Sequence, residues 1–474
     1  MKGTEMSDTG NGEESTAGDE APGDGGFLNA KFDLDGRETT IGREILGGIT
    51  TFMALSYIIF VQPAMLSNAG MPEGGVLVAT CVASAVACLL MAFLANYPIA
   101  LAPAMGHNVY FTFGVCVGLG WSWQQGLSAV FVGGCVFLVL SFFGFRARIM
   151  ELVPESLKRA IAGGIGLLIA LIGMEYAGLV VDAQGVLVKF GDIHNRYTLL
   201  ALFGLGITIL LMARGTRGAI LYGIVATTVV GCLATAVTPA DWVLLDYQEI
   251  ESFESLKPSE TILKLDFEGL FTAKGALTVI LTFLFLDIFD TVGTLIGVSE
   301  RANLLEDGKL PRARGALFSD AAGTVLGATM GTSTITSYVE SAAGVQAGAR
   351  TGLASVATAV CFLLAILAYP FLGVVASGMG EAGNLYPVIA PALIVVGAMM
   401  LVSIRGVDWD DTTELIPAFL TMVVMPFAVS ITEGIALGFI SYSVLKLATG
   451  RGREVHWTFH LLSLALLLRY IFLV

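Results

Sequence analysis

Charge is what this chain has least of. Only 14% of its 474 residues are Asp, Glu, Lys or Arg, against 55% hydrophobic residues, and the mean hydropathy is +0.80. Soluble domains carry about a quarter charged residues, so this balance excludes a soluble protein and identifies a polytopic membrane protein. Cations are scarcest where the chain is most apolar. The 25 Lys and Arg fall in the N-terminal segment, in loops or at the edges of apolar runs, with Arg469 as the exception. The net charge of −14 comes from acids clustered in tails and loops; it says little about a substrate, and no nucleic-acid partner is expected. The cysteines Cys81, Cys88, Cys116, Cys135, Cys232 and Cys361 lie within apolar runs and show no CxxC spacing. They read as small core residues, not as disulfides or metal ligands. No His/Glu zinc motif and no nucleophile beside a base is present, so neither an enzyme nor a resident cofactor is expected. The start lacks a basic segment leading into an apolar run, so no secretory signal is expected.

Apolar runs of about 20 residues, enough to cross a hydrocarbon core of about 30 Å, recur along the chain. They place spans at 45–66, 76–95, 99–117, 126–143, 157–178, 198–213, 218–237, 275–298, 313–328, 331–348, 352–374, 384–403, 413–430 and 433–449. Basic residues gather before the first span (Arg37, Arg43), after the fourth (Arg146, Arg148, Lys158, Arg159) and after the eighth (Arg301, Lys309, Arg312, Arg314). The positive-inside rule then places both termini in the cytoplasm of a cell-membrane protein. Residues 1–26 hold seven acids and one Lys; a disordered acidic tail is expected through residue 40. The stretch 241–274 reads as an extracellular amphipathic segment, and 451–474 as an interfacial or subunit-contact helix.

One run stands out. Residues 276–298, ALTVILTFLFLDIFDTVGTLIGV, carry Asp287 at their midpoint and Asp290 one turn on. A carboxylate at bilayer centre costs about 2.5–3.5 kcal/mol on the insertion scale, so two in one span point to a function there. With no cation on a neighbouring span, the pair must be protonated, hydrated or turned toward a polar ligand. The three-residue spacing puts both roughly on one side of the helix.

A faint internal repeat organises the rest. Aligning Phe52 with Phe283 and Asn108 with Val339 gives one offset, since 283 − 52 and 339 − 108 are both 231. Spans three and ten are thereby paired, and with seven spans per half the second half is inverted relative to the first, an arrangement typical of secondary transporters. Both paired spans carry interruption signals. Pro103 and Gly106 in LAPAMGHNVYFTFG, and Gly331 with the Thr/Ser run 332–337 in GTSTITSYVESAAGVQAG, favour an extended half-segment before a helix. Two such pieces would pair with each other, and such backbone is tolerated only when buried in protein or lining a cavity. The half-helices that follow would present their positive ends to a ligand. Thr332, Thr334 and Glu340 on one side, His107 and Asn108 on the other, are the candidate binding residues. Glu340 has a second reading, as partner of Ser337 in a capping box. His107 has one as a buried hydrogen-bond donor. Glu175 and Glu433 read as edge or capping residues.

TTFMALSYIIFVQPAML, APAMGHNVYF, FLFLDIFDTVGTLIGV and GTSTITSYVESAAGVQAGARTGL resemble the AzgA-type hypoxanthine/adenine/guanine permeases, a branch of the nucleobase–cation symporter superfamily that also holds uracil and xanthine permeases. The similarity runs from about Arg43 to about Lys446. It implies two inverted seven-span repeats, a core of spans one to four and eight to eleven (41–145 and 275–380), a gate of spans five to seven and twelve to fourteen (146–240 and 381–450), and a homodimer formed through the gates. It also implies that Asp287 and Glu340 bind a purine nucleobase, that Asn108 is a binding residue of span three, and that Asp290 is the second acid needed for transport. The sequence departs from that pattern at Ala104 and His107, at Gln62 and at Glu175.

The chemistry agrees with the resemblance. A purine is flat and rimmed with N–H donors and lone pairs; a carboxylate accepts two adjacent N–H bonds, and charge-assisted bonds are about twice as strong as neutral ones. The expected activity is purine import coupled to H⁺, with Asp290, Asp287 and Glu340 as candidate proton carriers, Asp290 first, and Na⁺ as the other coupling ion to test. The runners-up are a uracil/xanthine permease and an anion transporter of related fold.

Overall fold

The computed structural model describes residues 26–142, 153–183, 186–237, 244–245, 252–253, 256–302, 304, 310–376, 378–380 and 383–472. The expected disorder of residues 1–25 lies outside them. The end of the expected tail is a correction: α1 (Gly26–Phe32) is helical, and Phe32 is buried. Asn96 Nδ2 donates to Phe32 O at 2.8 Å while Asn96 Oδ1 accepts from Gly352 N at 2.7 Å. The acid-rich composition of residues 1–26 concealed the apolar FLNAKF that follows.

The chain then alternates long apolar helices with short breaks. Thr40 caps α2 (Ile41–Leu55), which a bend at Ser56 and Tyr57 separates from α3 (Ile58–Ser67); α4 (Glu73–Leu90) returns. A short strand β1 (Leu101–Pro103) is followed by α5 (Met105–Val109), continued by a wider π-helical stretch, Tyr110–Val117. Next come α6 (Trp123–Phe142) and α7 (Glu155–Tyr176). A hairpin of β2 (Val180–Ala183) and β3 (Val186–Phe190) stands where only a loop was expected. Then α8 (Arg196–Ala213) and α9 (Ala219–Val237) lead to the extramembrane segment. Its described part ends in α10 (Phe267–Thr272), capped by Asp266, and it is pinned to the bundle where Leu263 N donates to Thr329 O at 2.7 Å.

The second half repeats the pattern: α11 (Ala276–Arg301), α12 (Ala313–Met330), strand β4 (Ile335–Ser337), α13 (Ser341–Gln346) and α14 (Gly352–Ala365). A 3₁₀ turn around Pro370 precedes α15 (Leu372–Ala376); α16 (Ala390–Met400), α17 (Thr412–Phe427), α18 (Ile431–Ala448) and α19 (Trp457–Phe472) complete the chain. Among the described residues eight helices are long and apolar enough to cross a membrane.

Packing sorts the helices into two groups. In the first, α6 lies on α12, and α14 on α2 and α4; in the second, α7 lies on α16 and α17, α8 on α9, and α17 on α18. Backbones meet closely inside the second group: a Cβ on Gly397 would stand 2.4 Å from Gly166 O, the small-residue contact by which membrane helices pack without a hydrophobic drive. The first group is tied by buried polar groups. Glu44, fully buried, accepts from Thr39 Oγ1 and Arg350 N, each at 2.8 Å, and from Thr351 N at 3.1 Å, fastening the start of α2 to the start of α14.

The last helix lies within the stretch 451–474, expected as an interfacial or subunit-contact helix. Its contacts with α18 run in strict reverse order: His460 Nδ1 pairs with Ser443 Oγ at 2.7 Å, Ser463 Oγ donates to Phe439 O at 3.0 Å, and Tyr470 OH donates to Glu433. The helix is therefore packed lengthwise and antiparallel on α18. Burying Phe459 and Ser463 against α18 leaves Trp457, Leu461, Leu464 and Ile471 facing outward, as lipid would require.

Candidate functional site

Two broken spans meet in the interior. β1 and β4 pair antiparallel, Leu101 with Ser337, Ala102 with Thr336 and Pro103 with Ile335. The ladder is prolonged by Ala104 N to Thr334 O at 2.9 Å and Tyr338 N to Ala100 O at 3.0 Å. Pro103 has no N–H to give and presets an extended chain. Gly331, at φ +99°, ends α12; a Cβ there would come within 2.3 Å of Thr261 Cβ. Every residue of both strands is buried, which such backbone tolerates because protein surrounds it.

Around this crossing the predicted residues divide into two sets. Asn108, Thr332 and their neighbours close on one another. Asn108 Nδ2 donates to Gln62 Oε1 and Ser333 Oγ donates to Asn108 Oδ1; Gln62 Nε2 donates to Thr332 Oγ1 at 2.9 Å, and Thr332 Oγ1 lies 3.3 Å from Thr80 Oγ1. The ring joins α3, α4, α5 and the approach to β4.

The acids form the other set. Asp287 is buried in α11 and its Oδ2 accepts from Thr324 Oγ1 at 3.3 Å; the same hydroxyl donates to Ile335 O at 2.8 Å. Asp290, half-buried, interacts electrostatically with Glu340. Glu340 Oε1 accepts from Tyr57 OH at 3.2 Å. Asp290 and Glu340 thus share one neighbourhood, while Asp287 looks toward α12. The capping-box reading is corrected. Glu340 itself occupies the N-cap position of α13 and makes no side-chain cap bond. Ser337 instead gives its N–H to Asp320 Oδ1 at 3.0 Å and its hydroxyl to Thr291 O at 3.3 Å. His107 and Thr334 are 2% and 1% exposed, and His107 Nε2 and Thr334 Oγ1 find no hydrogen-bond partner among the described residues.

Sequence reasoning missed Asp320, a third intramembrane aspartate, fully buried and bonded to Thr291 Oγ1 at 2.6 Å. The signal was the one that exposed Asp287, an acid inside an apolar run. Tyr57 and Ser333 carried no signal, since a hydroxyl in a span is ordinary. Ser430 is the N-cap of α18, its Oγ accepting from Glu433 N at 3.3 Å, while the Glu433 carboxylate accepts from Tyr470 OH. The six cysteines are free, and Cys88 Sγ borders β1, 3.2 Å from Leu101 N. Among the described residues no His/Cys/Asp/Glu group could hold a metal ion.

Buried extended segments crossing between interrupted apolar spans, with carboxylates beside them, define a membrane transporter. The comparisons with known proteins agree. The family model described as "Permease family" (Xan_ur_permease) matches residues 42–437, and the chain belongs to that family. It is 42% identical to the guanine/hypoxanthine permease PbuG of Bacillus subtilis, over 93% of this chain and 99% of that one. It is 40% identical to the adenine permease AdeP of Escherichia coli, over 94% and 97%. Its fold is that of the transmembrane domain of a cyanobacterium bicarbonate transporter, BicA, with a TM-score of 0.61 at 15% identity, over 87% of this chain and 98% of that one.

Proposed function

We propose that this protein imports purine nucleobases across the plasma membrane, moving hypoxanthine, guanine or adenine together with a proton. The observation that carries the reading is the buried β1–β4 crossing with three carboxylates near it: Asp287, bonded through Thr324 to β4, and Asp290 and Glu340, which interact with each other. The relatives named above, two of them permeases for these bases, support it. A carboxylate beside the crossing accepts the adjacent N–H groups of a purine edge, and backbone groups of the paired segments serve its ring nitrogens or carbonyl. Asp290 and Glu340 repel each other when both are ionised in surroundings of low dielectric. A proton taken up there removes that repulsion, and we assign the carrier role to Asp290 first.

The architecture proposed is fourteen spans in two inverted sets of seven, with the first packing group as a mobile core, the second as a gate, and a homodimer formed through the gates. The core would slide past the gate in an elevator-like exchange of access. Loop charge supports a cytoplasmic N-terminus, and α19, packed lengthwise on α18 beyond the fourteenth span, supports a C-terminus on the opposite face. The likeness to an anion transporter extends to the fold alone, and an acidic site opposes an anion.

Uptake of labelled hypoxanthine, adenine, guanine and uracil into cells lacking their own permeases tests the reading. Protonophore-sensitive purine uptake that is lost in Glu340→Ala supports it; uptake confined to uracil, or driven by Na⁺ and indifferent to protonophore, replaces it. Proton-driven uptake with unchanged pH dependence in Asp290→Asn removes Asp290 from the carrier role.

A further inference from the structure

Buried polar atoms are nearly always hydrogen-bonded, and one that is not requires an explanation. At the crossing both ends of the Asn108 amide are occupied by Gln62 and Ser333, and Thr332 by Gln62 and Thr80. His107 Nε2 and Thr334 Oγ1 are buried and unbonded among the described residues. They belong to the two different spans that cross.

Their placement converges on Asp287. Tyr110, one turn after His107, packs its ring 5.0 Å from that of Phe283, one turn before Asp287. Thr291, one turn after Asp287, bonds Thr336 at 2.8 Å, and Thr336 pairs with Ala102. The span of β1 and α5 and the helix α11 therefore run antiparallel, which sets Asp287 level with His107. Thr334 lies two residues before Thr336, and in an extended chain such residues share a side; Thr336 faces α11, so Thr334 does too. Thr324 closes the triangle, bonding Asp287 Oδ2 and the carbonyl of Ile335.

We propose that His107, seconded by Thr334, is the specificity-determining residue of the site, reading the substituent at C6 of the bound purine; this rests on the purine reading above. A neutral imidazole has one donor and one acceptor nitrogen, and its tautomers exchange the two roles. Nε2–H donates to the carbonyl of a 6-oxopurine, and bare Nε2 accepts from the amino group of a 6-aminopurine. The hydroxyl of Thr334 has the same two-way capacity. A site built this way takes both classes of base and holds loosely a purine that leaves these atoms unpaired. Asn108, whose amide is closed off by its neighbours, positions the crossing and does not read the base.

The test is equilibrium binding of hypoxanthine, adenine and unsubstituted purine to the purified full-length protein, for wild type, His107→Phe, His107→Gln and Thr334→Val. The wild type binds both substituted bases. His107→Phe weakens both by about tenfold or more, the scale of one lost buried hydrogen bond, and does not weaken unsubstituted purine. His107→Gln, whose amide both donates and accepts, restores both. A merely structural histidine would weaken all three ligands alike, and that result overturns the inference. So does a His107→Phe protein that binds hypoxanthine and adenine as the wild type does. Should His107→Phe fail to fold, the Gln and Val variants decide: Thr334→Val must weaken the substituted bases and spare unsubstituted purine. Wild type that binds no purine at all sinks the purine reading and this inference with it, whereas wild-type binding with indifferent variants sinks the inference alone.

Discussion

Replacing Gln62 by leucine tests whether the ring at the crossing is a structural clasp. The side chains have similar volume, so the change removes bonds without opening a large cavity. Gln62 supplies the acceptor for Asn108 Nδ2 and the donor for Thr332 Oγ1, with a weaker reach of 3.4 Å to Ser333 Oγ. After the change Thr332 keeps Thr80 and Ser333 keeps Asn108 Oδ1. Asn108 Nδ2 is left with Met105 Sδ at 3.7 Å. One buried donor is orphaned at about 1–3 kcal/mol, and one further bond is lost at about 1 kcal/mol, for a total of about 2–4 kcal/mol. With unfolding entropy near 2 cal/mol/K per residue, roughly 1 kcal/mol/K for this chain, the melting temperature falls by about 2–4 °C. Thermal unfolding of the purified protein reads the shift, and a double-mutant cycle with Asn108→Leu reads the coupling. The double variant should cost less than the two single ones added. Strict additivity, or an unchanged melting temperature in Gln62→Leu, refutes the clasp and returns Asn108 to the set of groups free to meet a ligand.

Glu44→Gln leaves one acceptor oxygen where two serve Thr39, Arg350 and Thr351, and the loss of a charge-assisted bond should cost about 1.5–3 kcal/mol; Glu44→Ala, which orphans both backbone N–H groups, should cost more, and equal melting temperatures for wild type and both variants would contradict this. At the membrane edge, the Arg451 guanidinium holds Asp411 down at about 2 and pulls Glu454 below the usual carboxylate range. A depressed folded pKa contributes stability above the unfolded value of about 4 that is lost as pH falls from there toward 2. Arg451→Ala should flatten the acid side of the stability–pH curve below pH 4, and an identical acid limb in the variant would dismiss the pairing as inert.

The sequence announced the crossing because its signals are local. Pro103, Gly331 and the run 332–337 disfavour a continuous helix whatever surrounds them, and Asp287 is conspicuous because an acid in an apolar run has no cheap place to go. Glu340 was visible for the same reason, but its partner was not. Tyr57 lies 283 residues away, and the spacing Ser337 to Glu340 offered a local bond that geometry declined once Ser337 was taken by Asp320 and Thr291. The hairpin of β2 and β3 had its signal in the β-branched valines of VVDA and VLVKF, not in any alternation. The lengthwise packing of α19 was beyond reach of hydropathy, because a 16-residue apolar helix satisfies a lipid interface and a helix face equally well.

The distribution of bonds also bears on how the proposed core would move. Within the first group, fully or nearly buried polar side chains bind across elements: Glu44 to the loop after α13, Asp320 to Thr291 and Ser337, Gln62 to Asn108 and Thr332. Separating those elements would orphan several groups at about 1–3 kcal/mol each, so the first group has reason to travel as a body. Contacts between the groups are of another kind. Gly106 faces Ile165, Gly218 faces Met53, Thr282 Oγ1 stands 3.5 Å from Thr432 Oγ1, and Asn68 Nδ2 donates to Tyr176 OH at 3.1 Å while also bonding Ala64 O. Apolar surfaces slide without orphaning anything, and Asn68 keeps its carbonyl partner when it leaves Tyr176. In the proposed movement the resistance to sliding would lie in the carboxylates of α11 and α13, since an uncompensated charge drawn across an apolar face costs more than any of these bonds. On the proposed reading, a bound base with its proton would lower that resistance, so that coupling would follow from where the acids sit.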